Sequence, residues 1–107
     1  RINFHKNNND SVHIMMIGLK AYSSIIWHKS KNKGFNTYHV LKGYLSLASL
    51  DNKFINRYEL SKITCPISID RKKWRRLTNN TEKTCFFLEI CPGPYFSDST
   101  LWDFVNS

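Results

Sequence analysis

Cysteine is scarce in this chain and offers no framework for cross-linking. The 107 residues include three cysteines, and Cys65, Cys85 and Cys91 are an odd number without a C-x-x-C pair, which speaks against a disulfide scaffold and a zinc ribbon. Cys85 and Cys91 fall in an apolar run, so we expect them to be small buried hydrophobic residues. Free thiols fit a reducing setting, and we therefore expect a cytoplasmic protein.

Long hydrophobic runs are also missing. No stretch of about 18 uncharged apolar residues occurs, so we expect no membrane-spanning segment. The first residues contain no apolar segment typical of a secretion signal. With 41% hydrophobic and 14% aromatic residues, the chain has enough apolar surface for one modest core, and we expect a single domain over residues 1–107.

Acidic residues are few, at 8 against 16 lysines and arginines, which gives a net charge of +8. The densest basic run, residues 71–76 (RKKWRR), contains an aromatic side chain that could stack on a base while its charges neutralise phosphates. Basic runs are common on solvated loops, however, and no nucleic-acid-binding motif accompanies this one. We interpret the run as a solvated loop between two strands and do not expect nucleic acid as a partner.

Short β-prone segments follow one another along the chain, with turn residues between them. They lie at residues 1–5, 11–20, 21–28, 37–50 with an interruption at Gly43, 54–63, 65–69, from 77 onward, and 84–91. Strands at a spacing of about 8–12 residues without an amphipathic helix are typical of an all-β sandwich or barrel. We predict a small jelly roll or barrel whose cavity is lined by alternate residues of each strand.

Several of these segments resemble a known family. Residues 25–43 read IIWHKSKNKGFNTYHVLKG, in which His28 and Gly43 match two positions of the first cupin motif. Residues 1–5 (RINFH), 10–13 (DSVH), 40–43 (VLKG) and 87–95 (FLEICPGPY) are similar, in order and spacing, to segments of the WbuC-type cupin-fold proteins. The resemblance covers nearly the whole chain. It implies a small cupin β-barrel linked to bacterial surface-polysaccharide (O-antigen) biosynthesis.

The same resemblance implies a divalent metal in the barrel, but the residues at the ligand positions differ. His28 is kept, whereas Ser30, Asn36 and Arg75 stand where the family has His, Glu and His. Arginine has no lone pair to donate and carries a fixed positive charge where the cation would lie. Tight binding needs three or four imidazole or carboxylate donors, so we expect no metal cofactor. The other histidines would restore a site only by converging from other strands, and His39 is expected on the strand face opposite Asn36.

Two functions of different classes are consistent with these residues. In the first, the barrel binds a small anionic sugar or sugar-nucleotide-like ligand, and Arg75 supplies by hydrogen bonds the positive charge that a metal supplies in the family. His28 and Glu89 are then the candidates for proton transfer. The other residues predicted to bind the ligand are Asn36, Ser30, Tyr38, Trp74 and His5.

The candidate residues also have structural interpretations. Glu89 shares a strand face with Cys91, so it points either into the cavity or outward. An inward glutamate could form a structural ion pair with Arg75. His28 could equally be a hydrogen-bonded core histidine without a chemical role.

In the second function the chain is a degenerate cupin that acts as a non-catalytic binding or dimerisation module, with a second copy as its partner. Residues 1–10 are predicted as an N-terminal arm, residues 11–91 as the barrel and residues 92–107 as a C-terminal tail. Trp102 and Phe104 in that tail could contribute to a dimer interface. The two functions differ in whether a small anionic ligand stabilises the fold.

Overall fold

The computed structural model of the chain describes residues 1–7, 10–93 and 100–101. These residues form strands and no helix, so the predicted all-β fold is confirmed. None of the described segments is a helix long and apolar enough to cross a membrane. The strands are β1 (Ile2–Asn3), β2 (Val12–Leu19), β3 (Ser24–Lys29), β4 (Phe35–Lys42), β5 (Tyr44–Asp51), β6 (Phe54–Ser61), β7 (Ile67–Asp70), β8 (Arg75–Thr78), β9 (Cys85–Pro92) and β10 (Thr100–Leu101).

The strands form two antiparallel sheets of five strands each. Sheet I has the order β1-β2-β9-β4-β7, and sheet II has the order β10-β3-β8-β5-β6. The sheets share one hydrophobic core, to which sheet I contributes Tyr38 and Phe87 and sheet II contributes Leu45, Leu47 and Leu77, all fully buried. One core between two sheets is the arrangement of a small single-domain jelly roll.

Alternation along the strands decides which side chains face the core. On β4, Asn36, Tyr38 and Val40 are buried, whereas Thr37 and His39 lie on the other face. The predicted separation of His39 from Asn36 is therefore confirmed.

Two of the three free cysteines are buried on β9, as predicted. Cys85 and Cys91 alternate there with the buried Phe87, and Glu89 lies on the same face. Burial raises the pKa of the Cys85 thiol to about 11. That thiol therefore stays protonated and packs as a small hydrophobic residue.

Gly43 joins β4 of sheet I to β5 of sheet II, at the corner where the chain changes sheets. Its φ of 85° lies in the left-handed region, which glycine adopts at no steric cost. A Cβ at this position would lie 3.2 Å from both the Cα of Cys85 and the carbonyl oxygen of Thr84. The close passage of the two backbones thus requires a residue without a side chain.

The basic run at residues 71–76 does not form one continuous charged surface. Arg71 and Arg75 are buried, with 6% and 3% of their surface exposed. Lys73 pairs with Asp51 at 3.5 Å, and Arg76 is exposed on the outside of sheet II. The interpretation of the run as a solvated loop is therefore wrong for the two buried arginines, because the turn between β7 and β8 directs both side chains into the barrel.

Both ends of the described chain add edge strands. In the predicted N-terminal arm, β1 pairs with β2 through Ile2↔Met16. In the predicted C-terminal tail, β10 pairs with β3 through Leu101↔His28. Trp102, Phe104 and the remainder of the tail beyond Gly93 lie outside the described residues.

Candidate functional site

A cavity of about 290 Å³ opens between the two sheets, at the end of the barrel where β4 begins. Its walls combine a few apolar side chains with polar and charged ones, of which Asn36, Arg71 and Arg75 are buried. The lining residues are Arg1, Ile17, Ile25, His28, Ser30, Asn36, Arg71, Arg75, Glu89 and Cys91. Both sheets therefore contribute to one polar chamber.

A larger groove of about 460 Å³ lies at the other end of β4, around the corner at Gly43. Its charged side chains are Lys42 and Lys62, and no carboxylate, histidine or cysteine lines it. The groove therefore lacks an acid–base pair, and the smaller cavity is the candidate site.

His28 enters the cavity from β3 and lies beside Arg75 in the register of sheet II. Burial lowers the pKa of His28, and the positive charge of Arg75 lowers it further. The ring Nδ1 lies 2.8 Å from the carbonyl oxygen of Ile26. Because a carbonyl can only accept, the neutral ring donates from Nδ1 and keeps a lone pair on Nε2.

Arg75 connects the two sheets. Its Nε donates to the Tyr38 hydroxyl at 2.6 Å, and its Nη1 donates to the Arg71 carbonyl at 3.2 Å. Among the described residues no ion pair joins Arg75 to Glu89, whereas Lys73 and Asp51 do form one. The structural ion pair considered for Arg75 is therefore not formed.

Arg71 holds its position through its backbone. Its N–H donates to Gly34 O at 2.9 Å, and its carbonyl accepts from Ser30 N at 2.8 Å. The side chain makes one long hydrogen bond, from Nη1 to Pro92 O at 3.4 Å, and its Nε is buried without a partner. A buried charged donor without an acceptor carries a desolvation cost that a bound acceptor would offset.

Asn36 and Tyr38 form the sheet I side of the cavity floor. Burial and the charge of Glu89 raise the pKa of Tyr38, against smaller lowering effects of Arg75 and Asn36, so the phenol stays neutral. The Oδ1 atom of Asn36 is buried without a hydrogen-bond partner. The cavity wall thus presents an unpartnered acceptor as well as an unpartnered donor.

Glu89 faces the cavity from β9, where it pairs in register with Tyr38 of β4. Its negative charge acts against the effect of Arg75 on the pKa of His28. It also contributes, after burial, to the raised pKa of the Cys91 thiol. The cavity therefore holds one carboxylate and one neutral imidazole with a free lone pair.

The structure brings five of the eight residues predicted from the sequence into the cavity lining: His28, Ser30, Asn36, Arg75 and Glu89. Tyr38 lies directly beneath it and contacts Arg75. Two residues lie elsewhere. Trp74 packs under the Lys29 ammonium group, whose Nζ is 4.8 Å from the ring centroid, and His5 stacks on His13 with a centroid distance of 3.9 Å.

Arg71 and Cys91 were not predicted as lining residues. The sequence contained the information needed to predict Cys91, because residues two positions apart on a strand share a face and Glu89 was already a candidate. Arg71 precedes the strand that carries Arg75, and its burial follows from the shape of the β7–β8 turn. No pattern in the run RKKWRR distinguishes Arg71 from its exposed neighbours.

The residues of this cavity do not fit the divalent metal that the resemblance implies. Ser30 and neutral Asn36 are weak donors, and the guanidinium groups of Arg71 and Arg75 place fixed positive charge at the site. In the part of the chain that the structure describes, no three histidine, cysteine, aspartate or glutamate side chains come together as a metal site. The chemistry of this cavity therefore favours an anion over a cation.

The fold is similar to that of several solved cupin-fold proteins. Lactobacillus farciminis oxalate decarboxylase in its formate complex superposes with a TM-score of 0.77 and 8% identity, over 89% of this chain and 28% of that chain. An oxalate oxidase in complex with the substrate analogue glycolate superposes with a TM-score of 0.76 and 10% identity, over 86% of this chain and 46% of that chain. CapF with the inhibitor 3-isopropenyl-tropolone superposes with a TM-score of 0.78 and 14% identity, over 92% of this chain and 30% of that chain.

The chain thus has a cupin fold and spans less than half the length of these proteins. The superpositions establish the fold, whereas sequence identities of 8–14% carry no information about the ligand. No protein-family model matches the sequence, and no curated protein matches it.

Proposed function

We propose that this chain binds a small anionic, sugar-type ligand in the cavity without a divalent metal, as a WbuC-like cupin of bacterial surface-polysaccharide biosynthesis. The observation that supports binding is the charge of the cavity. Arg71 and Arg75 are buried in its wall, and among the described residues neither forms an ion pair with Glu89. Buried charge is costly unless it is neutralised, and an anionic ligand would neutralise it. The link to polysaccharide biosynthesis rests on the sequence resemblance.

The same cavity offers groups for proton transfer. Neutral His28 has an available Nε2 lone pair, and Glu89 faces the chamber from the opposite sheet. A base and a carboxylate on two sides of a bound sugar are suited to moving a proton between neighbouring carbons, as in an isomerisation. We assign these two residues the proton-transfer role in any reaction of the bound ligand.

The binding proposal is tested by thermal denaturation in a chelator-containing buffer. The panel comprises sugar acids, sugar phosphates and sugar nucleotides, with sodium chloride at matched ionic strength as the control. A ligand at ten times its Kd stabilises the native state by about 1.4 kcal/mol, which raises Tm by roughly 4–10 °C in a domain of this size. The proposal fails if no member of the panel raises Tm above the sodium chloride control, or if a shift appears only in a parallel series without the chelator.

A second candidate function, assembly through a sheet face, is favoured by the outer face of sheet I. The outward residues of its adjacent strands β2 and β9 include no lysine, arginine, aspartate or glutamate, although the chain has 24 such residues. These residues are Val12, Ile14, Met16 and Gly18 on β2 and Phe86, Leu88, Ile90 and Pro92 on β9. In a chain with a net charge of +8, repulsion between two copies is weakest where the contacting residues carry no positive charge, and the outward residues of β2 and β9 meet that condition.

A further inference from the structure

The proposed function leaves open which part of the cavity holds the anionic group and what else the ligand must carry. The sequence pointed to Arg75, but Arg75 is already engaged. Its Nε donates to Tyr38 and its Nη1 to the Arg71 carbonyl. Its Nε–Nη2 edge is therefore interrupted at Nε, and the donors that remain are Nη2 and the second N–H of Nη1.

Arg71 has the complementary pattern. Its Nη1 reaches Pro92 O, whereas Nε is buried without a partner and no described residue accepts from Nη2. In a guanidinium group, Nε and Nη2 donate in parallel along one edge. That edge matches the two oxygens of a carboxylate or a phosphate. The side chain is 6% exposed and lines the cavity, so a ligand in the chamber is the available source of such oxygens.

Asn36 adds a second requirement. Its Oδ1 is a buried acceptor without a hydrogen-bond partner. A ligand that satisfies this atom must donate a hydrogen bond, which a hydroxyl group does and a bare inorganic anion such as chloride does not. Discrimination through a buried unpaired group is strong, because a ligand without the matching group leaves it unsatisfied.

The volume of the cavity limits the size of the ligand. At about 30 Å³ per water molecule, its 290 Å³ corresponds to roughly ten water molecules. This is enough for one pyranose ring with its substituents. A nucleotide would have to remain outside the chamber.

We infer that the ligand is a monosaccharide-sized oxyanion, a sugar acid or a sugar phosphate, whose anionic group binds the Nε–Nη2 edge of Arg71 and one of whose hydroxyls donates to Asn36 Oδ1. This inference rests on the proposed function and specifies it. Arg75 is then a positioning residue that fixes the carbonyl of Arg71 and the hydroxyl of Tyr38.

The test compares Arg71→Lys with Arg76→Lys by calorimetric titration. Both substitutions keep the charge and remove the fork, but Arg76 is an exposed residue of the same basic run. The probes are glucuronate, glucose 1-phosphate, neutral glucose, acetate and a uridine diphosphate sugar. Glucuronate or glucose 1-phosphate is expected to bind at least tenfold more tightly than glucose or acetate. Arg71→Lys should weaken that binding by about 10- to 100-fold, and Arg76→Lys by less than twofold.

Asn36→Ala tests the hydroxyl contact. It should weaken glucuronate binding about tenfold while the affinity for acetate stays unchanged. Because a cavity variant can fail to fold, the wild-type protein labelled at arginine provides an independent readout. The assigned Nε–H signal of Arg71 in a proton–nitrogen correlation spectrum should shift on saturation with the tightest probe, and that of Arg76 should not.

The outcomes separate the two proposals. If an anion binds but Arg71→Lys leaves its Kd unchanged, if only the uridine diphosphate sugar binds, or if the Arg71 signal does not move, this inference is overturned while the proposed function stands. If no probe binds the wild-type protein, both are overturned.

Discussion

The imidazole of His28 is held neutral by its surroundings. Burial and the neighbouring Arg75 lower its pKa in the folded protein, whereas in the unfolded chain the pKa is near 6.5. Near and below pH 6.5 the unfolded state therefore binds more protons than the folded state, and the free energy of unfolding falls as the pH falls. The lowered pKa of His28 therefore keeps a neutral base in the cavity and also reduces the stability of the folded protein at acidic pH.

This difference predicts the effect of His28→Asn on acid stability. From pH 7.5 to pH 5, the wild-type protein should lose free energy of unfolding more steeply than the variant, by at most about 1.4 kcal/mol per pH unit. Urea denaturation of both proteins at several pH values measures the difference, in which the contributions of the other titrating groups cancel. Parallel curves for the two proteins would show that His28 titrates as in an unfolded chain.

At the scale of secondary-structure elements, the corner between β4 and β5 determines how the two sheets are connected. Both strands are long and β-prone, and their residues alone are compatible with a single continuous strand. Gly43 interrupts them with a φ of 85°, and β9 passes so close that no side chain fits between the backbones. This one residue allows the chain to leave sheet I and enter sheet II.

Gly43→Ala should therefore destabilise the fold by about 2 kcal/mol or more, from the left-handed backbone and from the contact with the β9 backbone. Gly18→Ala is the matched control. Gly18 has no positive φ, and an added Cβ would approach atoms of the movable Phe86 side chain, so the change should stay within about 1 kcal/mol of the wild type. Equal losses of Tm in the two variants would contradict this role of the corner.

At the scale of the whole molecule, charge is distributed unevenly between the two outer faces. The outer face of sheet II carries polar pairs such as Ser46 with Glu59 and Arg76 with Ser24. On the outer face of sheet I, the outward residues of β2 and β9 are apolar and carry no formal charge. In a chain with a net charge of +8, self-association should occur through the uncharged face and should change little with salt concentration.

We expect the protein to sediment as a dimer at micromolar concentration, and Leu88→Glu on the outer face of sheet I to sediment as a monomer. Ser46→Glu, on the outer face of sheet II, is the control and should remain dimeric. Circular dichroism of each variant verifies that it is folded. A monomeric wild-type protein at about 100 μM would exclude assembly through this face.

The sequence by itself determined the fold class and much of the wall of the cavity. Short β-prone segments with turn residues between them predicted the all-β fold, because period-two alternation and turn chemistry are local properties. The same alternation grouped Glu89 with Cys91 and separated His39 from Asn36. The resemblance to the cupin motifs implied a common site for His28, Ser30, Asn36 and Arg75, and these residues do line one cavity.

Only the tertiary structure decided how the charges are arranged. Burial of Arg71 depends on the path of the β7–β8 turn against the loop between β3 and β4, to which the backbone of Arg71 is hydrogen-bonded at Ser30 N and Gly34 O. The pairing of Arg75 with Tyr38 rather than Glu89 depends on how the two sheets face each other. These are contacts between residues far apart in the sequence, and a local pattern of residue types carries no information about them. For this reason most residues of the site could be predicted from the sequence, whereas the proposal that Arg71 binds the anionic group depends on the tertiary structure.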